Sequence, residues 1–252
     1  CGPTLNVDPL KTALLNQTYS ENISYDDDWW LFDDEVFLRV SHGDLPDGVV
    51  LGANGELAGT ATEVGVFDFR ITAIAVEDGF FYDDDDVTAD YEWFTLFVTE
   101  ASSNENCPSP DDETVGENYI CLGTIENETF EEEESFILDV SYHAPYTHAP
   151  SYQITTLDFT ITYDPDNFTI GDDELTSLAL REAANLAGAT IEFDHDETSG
   201  EIQITIEAVT NSLHKSGRLL DLSFTAIQNL SDGEYSFDVT INGIESSDDN
   251  VE

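Results

Sequence analysis

The feature that most constrains the fold is an alternation of apolar and polar residues, with a period of two, in five separate segments. Such a pattern lets one face of a strand pack inward while the other face meets water. Many strands of this kind, separated by turns rich in Gly, Asp and Asn, are typical of antiparallel sandwiches. The sequence therefore predicts an all-β chain of two antiparallel β-sandwich domains with little helix. The alternating segments are residues 67–73, 157–163, 202–206, 220–224 and 235–241.

Helical periodicity is weak by comparison. The best helical pattern covers residues 175–187, LTSLALREAANLA, and predicts one short helix or helical loop. No apolar run approaches the roughly 18 residues that a membrane-spanning helix needs. The sequence itself therefore predicts no membrane crossing.

A domain boundary is predicted where the alternation stops. Residues 101–118, ASSNENCPSPDDETVGEN, are polar, contain Ser and Pro, and have no regular period. We interpret them as a linker between a first domain at 1–100 and a second at 119–252. Cys107 and Cys121 bracket most of this segment and form an even pair, so we expect a disulfide that braces the boundary. The alternative is two free thiols.

The remaining cysteine, Cys1, is the first residue. A chain that begins CGPT resembles a mature bacterial or archaeal lipoprotein, cut just before its lipid-bearing Cys. The resemblance implies a lipid on Cys1 as the only membrane attachment, and an extracellular or cell-surface location. The alternative is an arbitrary start of the sequence.

The charge of the chain is extreme, with 55 acidic residues against 6 basic ones and a net charge of −49. Such a chain cannot neutralise phosphates, which excludes nucleic acid as a partner. Self-repulsion of this size destabilises a compact state in dilute buffer. Two interpretations follow and can coexist: a solvated acidic surface adapted to a saline, halophilic habitat, or bound divalent cations.

Calcium is the cation that the acidic clusters favour, because it takes six to eight hard oxygen ligands and loops rich in Asp supply them. The segment DHDETSGE resembles a calcium loop loosely but lacks the full spacing of an EF-hand. The alternative for each cluster is a solvated turn. The residues predicted to bind calcium are Asp83, Asp84, Asp85, Asp86, Asp90, Asp194, Asp196 and Glu201.

Aromatic residues lie beside the acidic runs of the first domain. Such side chains can stack on sugar rings or anchor a protein partner. The alternative is that they fill the ends of the sandwich. These aromatic residues are Tyr25, Trp29, Trp30, Tyr82, Tyr91 and Trp93.

Five Asn-x-Ser/Thr triplets are candidate glycosylation acceptors, which matter only in an organism that glycosylates its exported proteins. Triplets of this kind also arise by chance. Their acceptor residues are Asn16, Asn22, Asn127, Asn167 and Asn229.

The first domain contains LPDGVVLGANGELAGTATEVGVFDFRITAIAV at 45–76. This segment resembles the immunoglobulin-like, cadherin/dystroglycan-type repeats of bacterial surface proteins over roughly residues 5–100. Its glycines suit turns with positive φ between short strands, whereas acidic insertions at 24–30 and 81–93 depart from the pattern. The residues that carry the resemblance are Leu45, Pro46, Gly48, Gly55, Gly59, Thr60 and Gly65.

The second domain resembles the cohesin and carbohydrate-binding-module superfamily. The segments that carry this resemblance are LDFTITYDPDNFTI, GEIQITI and SGRLLDLSFTAI, the last with Gly217, Leu219, Leu222 and Phe224 in the expected places. In that superfamily cohesins bind dockerins and related modules bind polysaccharides, so the resemblance implies a β-sandwich and leaves the ligand open.

No motif of a nucleophile elbow, phosphate-binding loop or zinc-protease helix occurs in the sequence. We therefore expect a non-enzymatic, lipid-anchored structural or adhesion protein of the cell surface. It would assemble with copies of itself, or with other surface proteins, as the subunit of an extracellular filament or appendage. The alternative is a surface polysaccharide-binding protein.

The first 15 residues, CGPTLNVDPLKTALL, precede the main strand pattern and are rich in apolar side chains. Such a segment can add a strand to the open sheet edge of a neighbouring molecule. It can equally form the first strand of its own domain, and both alternatives stay open from the sequence.

Overall fold

The computed structural model describes residues 2–26, 35–76, 87–108, 118–125, 129–143, 154–181, 189–208, 217–231 and 235–246. The chain divides into two compact units, Cys1–Thr99 and Glu100–Glu252. Both units are built from β-sheets, which confirms the all-β prediction. In the described part of the chain, no helix has the length and apolar character needed to cross a membrane.

The first unit packs a four-stranded sheet, in the order β2-β9-β8-β5, against a three-stranded sheet in the order β3-β7-β6, and a short β1–β4 pair accompanies them. The alternating strand at 67–73 is part of β8. The strands are β1 (Thr4–Leu5), β2 (Ala13–Leu14), β3 (Thr18–Asn22), β4 (Tyr25–Asp26), β5 (Glu35–Gly43), β6 (Val49–Leu51), β7 (Glu56–Thr60), β8 (Gly65–Val76) and β9 (Val87–Thr99).

The core of the first unit is formed by one face of each sheet. Phe69 and Ile71 of β8 and Leu96 of β9 are fully buried and pack in one cluster with Leu57 of β7. The residues between them on β8, such as Arg70, point to the opposite face. The alternation in the sequence therefore decides which face of the four-stranded sheet is left outside.

Two glycines of the Leu-Pro-x-Gly…Gly-Thr pattern let β6 and β7 meet closely. Gly48 has φ +90° and Gly59 has φ +149°, both in the region that side chains rarely adopt. A Cβ at Gly48 would collide with the carbonyl oxygen of Thr60, and a Cβ at Gly59 would collide with the carbonyl oxygen of Gly48. Only glycine fits at either position.

The N-terminal segment belongs to its own unit. Leu5, Leu10 and Ala13 are buried in the core of the first unit, and β2 runs along β9. The hypothesis that this segment extends the sheet of a neighbouring molecule is therefore corrected by the burial of its own apolar side chains. The β2–β9 pairing is parallel, a departure from the fully antiparallel sandwich that we predicted.

The second unit contains two four-stranded sheets, in the orders β10-β11-β16-β13 and β14-β15-β12-β17. The alternating segments at 157–163, 202–206 and 220–224 lie within β12, β15 and β16, and the segment at 235–241 continues into β17. The elements are β10 (Tyr119–Leu122), β11 (Ser135–His143), β12 (Ile154–Tyr163), β13 (Phe168–Thr169), α1 (Asp172–Thr176), β14 (Ala189–Asp196), β15 (Glu201–Ala208), β16 (Gly217–Ala226) and β17 (Phe237–Ser246).

The two sheets of the second unit share one core. Phe159 of β12 and Ile204 of β15 come from one sheet, and Leu222 and Phe224 of β16 come from the other; all four are fully buried in the same cluster. A buried aromatic side chain contributes roughly 1.5–3 kcal/mol over its exposed state. Burial between two sheets is therefore the main term that stabilises this sandwich.

The helix predicted at 175–187 is corrected by the structure. The helix α1 begins earlier, at Asp172, and ends at Thr176. Beyond it Leu180 is buried, and the Arg181 amide donates a hydrogen bond to the carbonyl oxygen of Leu219 in β16. The Arg181 amide therefore does not continue a helical ladder beyond the end of α1, and residues 182–188 lie outside the described part.

The segment that we interpret as a linker starts within the second unit. The carboxylate of Asp139, on β11, is buried and accepts hydrogen bonds from the Ser102 hydroxyl and from the amide and hydroxyl of Ser103. Cys107 and Cys121 form a disulfide with their Cα atoms 5.8 Å apart. The start of this segment is thus tied to β10 and β11.

Candidate functional site

The outer face of the four-stranded sheet in the first unit carries large aromatic side chains. On β9, Trp93 is 53% exposed and Tyr91 is 57% exposed, and on β5, Phe37 is 40% exposed. Trp93 lies opposite Arg70 of β8, Arg70 lies opposite His42 of β5, and Thr72 lies between Tyr91 and Arg39. We call Phe37, Arg39, Arg70, Tyr91 and Trp93 the aromatic–arginine face.

Hydrogen bonds and stacking hold Arg70 in place on this face. Its Nε donates a hydrogen bond of 3.0 Å to the hydroxyl of Ser41, which also accepts one of 2.8 Å from Thr72. The guanidinium carbon lies 4.7 Å from the centre of the Tyr91 ring, in cation–π geometry. A cation and an aromatic ring are therefore presented together in an ordered arrangement.

Two arginines on one face are unusual in a chain with so few basic residues. Arg39 and Arg70 are two of only six basic residues in a chain with 55 acidic ones. Both arginines lie on the same sheet face as the exposed Asp68 of β8, so the described part of this face carries more positive than negative charge in an otherwise acidic protein. Arginine, tryptophan and tyrosine are also the side chains that most often dominate binding energy at protein interfaces.

The interpretation that the aromatic residues fill the ends of the sandwich is corrected for Tyr91 and Trp93. Alternation along β9 puts both rings on the outer face, since Phe94 and Leu96 occupy the inner one. Tyr25 is half-buried and packs on the core. Trp29, Trp30 and Tyr82 lie outside the described residues.

The second unit presents a face of opposite character, which we call the acidic face. It is the outer side of the β14-β15-β12-β17 sheet, whose four strands contain no Lys or Arg in their sequences. The inner residues of the same strands form the core. Its carboxylate residues are Asp158, Glu192, Asp194, Asp196, Glu201, Glu207, Asp238 and Glu245.

The first acidic cluster predicted to bind calcium is described only at one residue. Asp90 lies on β9, and its carboxylate accepts a hydrogen bond of 2.9 Å from the amide of Leu5. That contact ties β1 to the edge of β9, a structural role. Asp83, Asp84, Asp85 and Asp86 lie outside the described residues.

The second predicted cluster is not brought together as a ligand set in the described part of the chain. Asp194, Asp196 and Glu201 lie on the outer face of the β14–β15 hairpin, with Asp196 opposite Glu201. The carboxylate of Asp196 accepts hydrogen bonds from the amides of Thr198 and Ser199, and these bonds lower its pKa. This carboxylate therefore stabilises the turn between β14 and β15.

The residue between these two aspartates faces the other way. His195 points inward from β14, and its Nε2 lies 2.8 Å from the hydroxyl oxygen of Tyr163. Its side chain is 2% exposed, and its Nδ1 lies 3.6 Å from a carboxylate oxygen of Asp172. Burial, with added repulsion from Glu197 and Asp196, raises the pKa of Tyr163. Residue spacing gives no sign of this group, because Asp172 lies 23 positions before His195 in the sequence.

The candidate modification sites have different surroundings. Asn16, Asn22 and Asn229 are exposed, so their side chains are accessible. Asn167 is buried, its Nδ2 donates to a carboxylate oxygen of Asp164, and its Oδ1 accepts from Gln228. Asn167 is therefore no longer a candidate glycosylation acceptor. Cys1 and Asn127 lie outside the described residues.

No family model matches the chain, and no curated protein matches it. Among solved structures, the chain is similar to the cohesin of a type I cohesin–dockerin complex from Clostridium thermocellum, with 14% identity over 51% of this chain and 86% of that chain, and a TM-score of 0.40. It is also similar to the sixth cohesin of scaffoldin B from Acetivibrio cellulolyticus, at 19% identity over 50% and 82% of the two chains, with a TM-score of 0.37.

A third similar structure spans both units. It is the C-terminal domain of an AgI/II polypeptide from Streptococcus agalactiae, with 10% identity over 96% of each chain and a TM-score of 0.32. At these scores the likenesses carry no argument about function, and the fold rests on the strands described above. The lipoprotein and immunoglobulin-like resemblances stay predictions.

Proposed function

We propose that this chain is a non-catalytic, exported structural protein that assembles with copies of itself. In this proposal the aromatic–arginine face of one copy binds the acidic face of the next. The observation that carries it is the placement of Arg39 and Arg70 beside exposed Phe37, Tyr91 and Trp93, in a chain with a net charge of −49.

The two faces complement each other in charge and chemistry. Opposite potentials steer association and set the register of an interface, while aromatic anchors supply buried apolar area. The Ser41 and Tyr91 contacts order Arg70 before binding, which reduces the entropy lost on association.

The geometry of such a contact predicts a polymer. Because the two faces are different surfaces of the same chain, each bound copy still has one face free. A head-to-tail contact of this kind gives an open filament unless its rotation closes a ring. This outcome agrees with the filament subunit expected from the sequence.

The disulfide supports an exported location. Such bonds persist in oxidising, extracytoplasmic compartments and are rare in the cytosol. The Cys107–Cys121 bond closes a segment with a sequence separation of 14. The lipid on Cys1 stays a prediction that mass spectrometry of native protein would test.

The assembly proposal is tested by removing the anchors. We expect the double variant Arg70→Ala/Trp93→Ala to be monomeric at concentrations where the parent chain forms larger species, as measured by light scattering and electron microscopy. The matched control is Val50→Ala, which trims another exposed apolar residue, 67% exposed on β6. Assembly that survives in the double variant would contradict the proposal.

A mixing experiment separates a head-to-tail contact from a symmetric one. One variant, Arg70→Ala/Trp93→Ala, keeps the acidic face, and the other, Glu192→Gln/Asp194→Asn, keeps the aromatic–arginine face. We expect each alone to be monomeric and an equimolar mixture to stop at heterodimers. If the second variant alone forms dimers, the contact joins two identical faces instead.

A second candidate function is polysaccharide binding, favoured by the same exposed row of aromatic rings on one sheet. Aromatic rings can stack on the apolar faces of sugars, and Arg39 would suit an acidic polysaccharide. Affinity electrophoresis in gels that contain neutral or acidic polysaccharides tests it. Retardation that Tyr91→Ala removes and Val50→Ala preserves, in a chain that stays monomeric, would favour this function over assembly.

A further inference from the structure

We infer that Asp172, His195 and Glu197 form a binding site for a divalent transition metal of the zinc class in the second unit. The inference is independent of the assembly proposal, since it concerns the interior side of β14 and the turn that follows it. It also differs from the calcium prediction in both the residues and the cation.

The first observation is an unsatisfied buried nitrogen. The side chain of His195 is 2% exposed, and its Nδ1 has no hydrogen-bond partner among the residues that the structure describes. Burial of a polar atom without a hydrogen-bond partner is unfavourable. The fold therefore holds this nitrogen in a position that a bound ligand would satisfy.

The second observation is that two carboxylates lie near this nitrogen. Asp172, the first residue of α1, and Glu197, in the turn after β14, each place a carboxylate oxygen near it. One ligand atom from each of the three residues lies within 4.8 Å of the others. Both carboxylates are exposed, so a cation can reach the site from solvent while the histidine is anchored in the core.

The third observation concerns the other ring nitrogen. His195 Nε2 lies 2.8 Å from the Tyr163 hydroxyl, and Tyr163 is itself buried. When Nδ1 coordinates a metal, Nε2 carries the proton and donates a hydrogen bond to this oxygen. A histidine ligand is typically oriented by such a second hydrogen bond, and Tyr163 is the positioning residue here.

The donor set selects the class of cation. One imidazole nitrogen with two carboxylates suits zinc and similar transition metals, with the remaining position left to water. Calcium takes six to eight oxygen ligands and gains little from a nitrogen. The alternative occupant of the site is a proton: a charged His195 would pair with Asp172 without any metal.

The test is calorimetric titration of chelator-treated full chain with zinc chloride near neutral pH. The buffer contains about 0.5 M sodium chloride, because the net charge of −49 attracts cations non-specifically and salt screens this effect. We expect one saturable zinc site. Calcium chloride and magnesium chloride, titrated in the same way, should not compete for it.

Two variants and one matched control locate the site. We expect Asp172→Asn and His195→Gln to weaken zinc binding by more than about tenfold, since loss of an outer-shell partner alone costs 10- to 100-fold. Asp172 is 77% exposed, so its variant should fold normally. The control Asp173→Asn removes the neighbouring exposed carboxylate of α1, which lies outside the ligand group, and should leave zinc binding unchanged.

Cobalt(II) provides a readout of the nitrogen ligand that does not depend on stability. Visible absorption of the cobalt-loaded chain should shift when His195 is replaced by Gln. Three outcomes would overturn the inference: no saturable zinc binding, zinc binding that Asp172→Asn leaves intact, or calcium binding at these residues with equal affinity. The first of these would favour the protonated pair.

Discussion

At the scale of the residue, a strand's alternation assigns neighbouring side chains to unrelated roles. Asp194 and Asp196 belong to the acidic face, whereas His195 between them belongs to the buried side of the same strand. The segment DHDETSGE therefore contains candidate ligands, although different ones from those expected. Which carboxylate meets the histidine depends on α1, and residue spacing along β14 contains no sign of that contact.

Asp139 gives the first prediction at this scale. Its buried carboxylate accepts hydrogen bonds from Ser102 and Ser103, and the amide nitrogen of an asparagine cannot accept them. We expect Asp139→Asn to lower the free energy of unfolding by about 1–3 kcal/mol, the cost of leaving buried donors unpaired. Urea titration measures it.

The control for this prediction is Asp238→Asn, on the exposed side of β17. It removes the same charge and leaves no buried donor unpaired, so its unfolding midpoint should stay close to that of the parent chain. Equal effects of the two substitutions would mean that charge, rather than the hydrogen bonds to Asp139, determines the result.

At the scale of the element, local pattern predicted the strands well because each needs only its own alternation. The core positions of β8, β12, β15 and β16 follow from it directly. The helix predicted at 175–187 was wrong over its described part after Thr176, where the chain leaves the helix and the Arg181 amide bonds to β16, a strand about 40 positions away. The sequence did not predict the aromatic–arginine face for a similar reason: only the strand register places Arg39 and Arg70 on the same face as Tyr91.

The N-terminal element gives the second prediction. Leu10 is buried in the core of the first unit, whereas Val7, three positions earlier, is 54% exposed. We expect Leu10→Ala to lower the free energy of unfolding of this unit by about 2–5 kcal/mol, and Val7→Ala to have little effect. All three tryptophans lie in the first unit, so tryptophan fluorescence during urea unfolding reports on it alone.

The same experiment distinguishes the two origins of the segment's stability. The measurement uses the Arg70→Ala/Trp93→Ala background, because assembly through the two faces would itself make the midpoint depend on protein concentration. In that background, a segment that packs in its own unit gives an unfolding midpoint that is independent of concentration. A midpoint that rises with concentration, and that Leu10→Ala makes constant, would mean that the segment is donated to a neighbouring molecule after all.

At the scale of the whole molecule, charge opposes the assembly that the two faces favour. Each copy has a net charge of −49, so two copies repel each other at long range even when the aromatic–arginine face of one meets the acidic face of the other. The Debye length is about 30 Å at 0.01 M salt and about 3 Å at 1 M. Long-range repulsion is therefore screened in concentrated salt, while buried aromatic contacts persist.

The last prediction follows from this competition. We expect the melting temperature and the average particle size to rise together as sodium chloride increases from about 0.01 M to 1 M, because screening relieves repulsion within and between copies. Scanning calorimetry and light scattering on the same samples measure both. Repeating the series with calcium chloride at matched ionic strength separates the two interpretations of the acidity: equal curves indicate screening alone, whereas a higher melting temperature in calcium indicates specific cation sites. A melting temperature unchanged by either salt would contradict both interpretations, since neither self-repulsion nor cation binding would then limit the stability of the fold.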